Sequence, residues 1–177
     1  MAQYHMGRKY AQGQGMAMDE AKAVKWFRKA ALQGLALAQY ALAQKYAKGK
    51  GVAKDEGQAV KWYRMAADQG DVRSQNDLGV IYIKGRGVAK NPTEALRWYL
   101  KAAAKGYGKA QRSLGVIYDQ GLGVKPDLVE AYKWLALAAQ NKAKGAAKRR
   151  DAIAKRMTPA DVDRAKKLAA AWKTKKS

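Results

Sequence analysis

A period of 36 residues runs through this chain and limits its possible folds more than any other feature. The pair Gly-x-Gly recurs at Gly13/Gly15, Gly49/Gly51, Gly85/Gly87 and Gly121/Gly123. Trp26, Trp62, Trp98 and Trp134 keep the same step, as do Tyr10, Tyr46, Tyr82 and Tyr118. Alanine pairs follow it at Ala30/Ala31, Ala66/Ala67, Ala102/Ala103 and Ala138/Ala139. Self-similarity at a step between about 20 and 50 residues marks an array of stacked supersecondary units rather than one globular core.

Each copy reads as two helices. In the first, Ala38, Leu42 and Tyr46 stand four apart and form one apolar stripe. In the second, Ala59, Trp62, Tyr63, Ala66 and Ala67 form another. The G-x-G-V loop joins them, its glycines free to take positive φ and Val52, Val88 and Val124 anchoring it. Asp19, Asp55, Asn91 and Asp127 stand at the start of the second helix as N-caps. Pro92 with Glu94, and Glu130 after Asp127, complete capping boxes. Gly34, Gly70 and Gly106 fall where that helix must end. The expected architecture is all-α, a right-handed superhelix of αα-hairpins. Residues 1–144 form four repeats, about 1–34, 35–70, 71–106 and 107–144.

The fourth copy closes differently, with Lys142 where glycine is expected and Gly145 three residues later. Residues 145–177 read as a C-terminal cap. Thr158 caps a last helix with Pro159 at its first position, and Val162, Ala165, Leu168, Ala169 and Trp172 form its apolar face. An array cannot leave its terminal repeat uncovered, so this helix should cover the fourth. Lys173 to Ser177 reads as a frayed tail.

Composition excludes several classes. With no cysteine, there is neither a disulfide framework nor a thiolate metal site. His5 is the single histidine, so no histidine metal cluster or catalytic relay can form. Carboxylate neighbours such as Asp19/Glu20 read as helix starts rather than as an acid–base pair. The Gly-x-Gly loops follow helices and lack a Gly-Lys-Ser/Thr continuation, which excludes a nucleotide cradle. No run of 18 apolar residues spans a membrane, and no signal-peptide core opens the chain. The expectation is a cytoplasmic protein with no enzyme activity, cofactor or metal.

The unit A-x-x-x-L-G-x-x-Y-x-x-G-x-G-V, an acidic or Asn cap, then A-x-x-W-Y-x-x-A-A-x-x-G resembles the Sel-one-like repeat, a cousin of the tetratricopeptide repeat. The resemblance covers residues 2 to about 141. The stretch from Arg150-Asp151 to Arg156-Met157-Thr158-Pro159 is similar to the closing segment of many bacterial members. The resemblance implies the solenoid fold and an adaptor role in signalling, envelope or host-interaction complexes, and it transmits no catalytic residue. Secreted members often carry paired cysteines, which are absent here. Met16 stands where the other loops have valine, and Ala43 where Gly7 matches the family's glycine.

In tetratricopeptide-like arrays the first helices line a concave face. Residues beside their core stripe are therefore candidates for a protein-binding groove: Tyr4, Arg8 and Gln12; Tyr40, Gln44 and Lys48; Asn76, Val80 and Lys84; Arg112, Val116 and Gln120. This mixture of aromatic, amide, basic and aliphatic groups suits a protein or peptide. The tryptophan and tyrosine columns read as core, with the tyrosine hydroxyls reaching the loops. The net charge is +22, from 36 Lys+Arg against 14 Asp+Glu. A second candidate surface follows from it, a basic face of Lys25, Lys61, Arg97 and Lys133 continued by Lys148, Arg149 and Arg150 in the cap. Residues 145–177 carry 11 basic and 3 acidic side chains, the highest charge density in the chain. Such a field speeds association with acidic surfaces. The reading is an adaptor for an acidic protein partner, with nucleic acid or another polyanion as the alternative and a structural part of a larger assembly as a third.

Overall fold

The computed structural model describes residues 1–172; the tail proposed at Lys173–Ser177 lies outside them. Ten helices and no strand occur among the described residues. Eight form the repeats: α1 (Ala2–Gln12), α2 (Glu20–Leu32), α3 (Ala36–Lys48), α4 (Glu56–Asp68), α5 (Val72–Lys84), α6 (Pro92–Ala104), α7 (Gly108–Gln120) and α8 (Leu128–Gln140). Two more, α9 (Ala146–Ala154) and α10 (Pro159–Ala171), follow as the cap. No helix among the described residues is long and apolar enough to cross a membrane.

The described residues divide into two compact units, one of residues 1–90 and one beginning at Asn91. In the first, α1 packs on α2, α2 on α3, α3 on α4 and α4 on α5. In the second, α6 packs on α7 and α7 on α8, while both α9 and α10 pack on α8.

Local chemistry fixes the helix ends. The side chains of Asp19, Asp55, Asn91 and Asp127 accept from the backbone N–H three residues on, at 2.8, 2.9, 3.0 and 2.9 Å. Each such cap is worth about 1 kcal/mol. At the other end the alanine pair receives the returning chain. The Gly34 N–H donates to the Ala31 carbonyl and that of Leu35 to Ala30, and the pattern repeats at Gly70/Asp71 and Gly106/Tyr107. In the fourth repeat Lys142 and Ala143 make the same two bonds to Ala139 and Ala138. Lys142 does so at φ 55, the one non-glycine residue among the described ones with positive φ.

The second glycine of the loop has another duty. A Cβ on Gly51 would lie 2.1 Å from the Glu20 carbonyl oxygen, so the loop runs against the first turn of α2. Gly87 approaches Glu56 and Gly123 approaches Pro92 in the same way.

A column not anticipated from the sequence ties the repeats together. Gln39, Gln75 and Gln111 are buried, and their side-chain amides donate to the carbonyls of Ala31, Ala67 and Ala103 at 3.2, 3.0 and 3.2 Å. Each bond runs from the first helix of one repeat to the end of the preceding repeat. The Gln39 and Gln111 side-chain oxygens accept in turn from Gln69 and Asn141, at the end of the second helix of the same repeat. A buried amide left unpaired would cost about 1–3 kcal/mol, so the bonded column enforces register.

Two expectations about the aromatic columns need correction. Trp98 and Trp134 are buried, but Trp26 and Trp62 are half-buried. The column buried in every copy is one residue later: Phe27, Tyr63, Tyr99 and Leu135. Tyr46 and Tyr82 are core, while Tyr10 and Tyr118 are half-buried. The buried hydroxyls do not reach the loops; they accept from the Arg28 and Arg64 guanidinium groups on the preceding second helix.

Both α9 and α10 pack on α8, with one departure from the apolar face read from the sequence. Thr158 caps α10, accepting from the Asp161 N–H at 3.2 Å. Ala165 and Ala169 are buried, and Trp172 meets Trp134 edge-on at 4.7 Å. Leu168, placed on the covering face from the sequence, is exposed.

Candidate protein-binding groove

Two depressions open along the first helices of residues 1–90, the second walled also by α4. The first, of about 260 Å³, takes its walls from Tyr4, Arg8 and Gln12 on α1, Tyr40, Gln44 and Lys45 on α3, and Arg73 on α5. Its aromatic groups are held in place. The Tyr4 ring leans on Phe27 at 5.7 Å. The Tyr40 hydroxyl accepts from the Gln44 side-chain amide at 2.8 Å, and the Arg73 guanidinium lies over the Tyr40 ring at 4.4 Å. Arg73 is itself anchored on one carboxylate oxygen of Asp71 through Nη2 at 2.7 Å and Nε at 3.1 Å. That hydrogen bond, with the Asp71, Tyr40 and Tyr4 fields, holds the Arg73 pKa above its ordinary value against the opposing effect of burial.

The second depression, also about 260 Å³, combines an apolar floor with charge: Ala59, Tyr63, Val80 and Ile81 beside Lys48, Glu56, Asp77 and Arg86. The rings of Tyr40, in the first depression, and Tyr63, in the second, stand 5.9 Å apart. Burial first, then the Asp77 carboxylate and Tyr40, pushes the Tyr63 phenol well above the usual tyrosine range.

Seven of the residues singled out in the sequence thus line these depressions: Tyr4, Arg8, Gln12, Tyr40, Gln44, Lys48 and Val80. Asn76 does not belong with them. It is buried, and its side-chain amide donates to the Asp77 carboxylate at 3.1 Å. Its place is taken by Arg73, one turn earlier. Lys84 is exposed but lines neither depression. Arg73 escaped the sequence reading because its repeat position holds Met1, Leu37, Arg73 and Lys109, four unlike residues. The α7 candidates lie in the other unit. Arg112 donates to the Lys144 carbonyl at 3.0 Å, and Val116 shares a cavity of about 120 Å³ with Arg149, Ile153 and Arg156. Arg156 also pairs with Asp119 at 2.6 Å. Gln120 is exposed.

The basic face is uneven. Lys25, Lys61, Lys148 and Arg149 are exposed. Arg97 pairs with Glu94 at 3.0 Å and Arg150 with Asp151 at 2.7 Å. Lys133 is not part of any face. It is buried against the Glu130 carboxylate at 2.6 Å, with its ammonium 4.7 Å from the Trp134 ring and 5.6 Å from that of Trp172. Its place on α8 lies under the cap, which the periodic pattern could not show. No group of three or more His, Asp or Glu side chains among the described residues is placed to hold a metal ion.

A family model described as Sel1 repeat matches four times, at residues 1–35, 36–71, 72–107 and 108–142. The chain is similar to a Sel1 repeat protein of Oxalobacter formigenes, at 36% identity and a TM-score of 0.83, over 96% of this chain and 69% of that one. It is also similar to c5321, a protective antigen of uropathogenic Escherichia coli displaying an SLR fold. That match has 32% identity and a TM-score of 0.66, over 97% of this chain and 44% of the antigen. No curated protein matches the chain.

Proposed function

The chain belongs to the Sel1 repeat family, whose repeats build protein–protein interaction scaffolds, and from that premise we propose that the first-helix face of residues 1–90 is where its protein partner docks. One observation carries the reading: Tyr40, half-buried and fixed by Gln44 and Arg73, lines the first depression with its ring 5.9 Å from that of Tyr63, a wall of the second. Rigid aromatic and arginine groups flanked by amides are the side chains that dominate protein interfaces. Family members are in general non-catalytic, and nothing in the groove pairs a nucleophile with a base.

An acidic partner is the finer part of the proposal. Arg8, Lys45 and Arg73 line the first depression, but Lys45 pairs with Glu20 and Arg73 with Asp71. Arg8 is left as the exposed cation facing a carboxylate of the partner. The remainder of the +22 charge acts at longer range, raising the rate of encounter with acidic proteins.

The test begins with proteins captured by the wild-type chain and retained in high salt. Their affinities are then measured for wild type, Tyr40→Ala, Arg8→Ala and Lys61→Ala. Tyr40→Ala should weaken binding by about tenfold or more and Arg8→Ala by less. Lys61→Ala, on a second helix, should leave it unchanged. Unaltered affinity in Tyr40→Ala would remove the groove from consideration.

A further inference from the structure

The second-helix side of residues 1–90 holds a larger depression, of about 700 Å³, walled by α2 and the loop of the second repeat at Gly51 and Val52. Its lining joins cationic and apolar side chains. Lys22, Lys25, Arg28 and Lys29 contribute four cations, and no carboxylate stands among the lining residues. Between them lie Val24, Trp26 and Leu32, of which Trp26 is half-buried and Leu32 is 71% exposed. Lys22, Lys25, Lys29 and Leu32 follow the three-and-four spacing of a single helix face.

The cations are held in different degrees. Lys22 pairs with Asp19 at 3.3 Å, Arg28 donates to the Tyr46 hydroxyl, and Lys29 lies over the Trp26 ring at 4.8 Å. Lys25 is exposed on the same face. The backbone beneath is firm, because Gly51 runs directly against the Glu20 carbonyl.

We propose that this depression is a second docking site, distinct from the first-helix groove, and that its occupant is an acidic amphipathic helix of a partner protein. Charge complementarity selects the acidic character, since Lys25, Lys29 and Arg28 would meet glutamates on the flanks of such a helix. The apolar centre selects a protein over a nucleic acid. A phosphate backbone would leave Leu32 and the exposed part of Trp26 uncovered, whereas a leucine stripe buries them. The site is particular to α2. On α4 the position of Leu32 is taken by Asp68, which would repel an acidic ligand, although Met65 is exposed nearby.

Fluorescence polarisation with the intact chain tests this using three labelled probes: a synthetic helix with a leucine stripe flanked by glutamates, its counterpart of equal charge with serine for leucine, and a short DNA duplex. The leucine peptide should bind about tenfold tighter than the serine peptide at physiological salt, and tighter than the duplex. Leu32→Ser and Lys25→Glu should each weaken it by at least about threefold, while Tyr40→Ala leaves it unchanged. Leu32 and Lys25 are exposed, so these variants should keep the helical circular dichroism of wild type. Equal binding of the two peptides, or tighter binding of the duplex, would overturn the proposal in favour of a plain polyanion surface. Loss of the leucine peptide in Tyr40→Ala but not in Leu32→Ser would place it in the groove and also overturn it. Absence of binding by any probe would do the same.

Discussion

The second helices of the first and fourth repeats, α2 and α8, hold equivalent positions and meet different fates. On α2, Lys25 is exposed and Trp26 half-buried. On α8 their counterparts Lys133 and Trp134 are 8% and 2% exposed. The residue types are the same, so identity does not decide burial. Between these two helices the difference lies in the neighbour: α10 lies on α8 and brings Trp172 against Trp134. Once covered, a lysine needs a partner, and Glu130 supplies it while also accepting from the Trp134 indole N–H at 3.0 Å. The position of Glu130 is held by Lys22 in the first repeat. Glu94 holds the same position in the third repeat, where it pairs with the exposed Arg97; in the fourth, the cover turns that glutamate to the buried lysine and tryptophan. The first has kept the open arrangement on which the second docking site rests.

Substitution of the two tryptophans should separate these environments most. Trp134→Ala opens a cavity in a closed part of the structure and should cost about 3–5 kcal/mol. Trp26→Ala, which removes a partly hydrated side chain, should cost about 1 kcal/mol. Chemical denaturation of both variants measures the gap, and equal losses would end the comparison. A smaller contrast follows at the acidic position. Glu130→Ala leaves the Lys133 ammonium and the Trp134 N–H without their acceptor and should cost about 2–3 kcal/mol. Lys22→Ala at the equivalent exposed place should stay within about 0.5 kcal/mol.

The smallest effect concerns the helix ends. Lys142 takes the backbone shape that Gly34, Gly70 and Gly106 take in the other repeats. Its Cβ makes that shape costly, so Lys142→Gly should raise stability by about 1 kcal/mol. Thermal melting with hydrogen exchange at α8 reads this out; a destabilised variant would mean that the lysine side chain contributes more than its backbone costs.

The period, the helix pairs, the Asp and Asn caps and the closing glycines were legible in the sequence because each depends on residues within one turn or loop. Tryptophan burial was not, because it depends on surroundings that differ from copy to copy: the same residue is half-buried on α2 and α4 and buried on α6 and α8. The groove was legible in part for a related reason. Tyr4, Tyr40 and Gln44 fall on a face that helical spacing defines. Arg73 enters from the next repeat, at a position where the copies share no residue type. Asn76 fails because the face turns inward at that point and Asp77 holds its amide. The glutamine column does recur in register, as Gln3, Gln39, Gln75 and Gln111, yet a polar residue at repeat spacing reads as surface until its partner carbonyl is known.

That column has a consequence for how such a chain can change in length. Each 36-residue segment carries an amide donor near its beginning and, near its end, the alanine carbonyl that the next donor requires. Both halves of the joint therefore travel together in one stretch of sequence. Duplicating or excising a whole segment recreates the same joint at the new boundary, whatever the surface residues in between. An insertion between the alanine and the glutamine, which stand eight residues apart, would part acceptor from donor and leave a buried amide without its bond. The chain is thus built to grow and shrink in whole segments, and its exterior can diversify copy by copy while the joints stay unchanged.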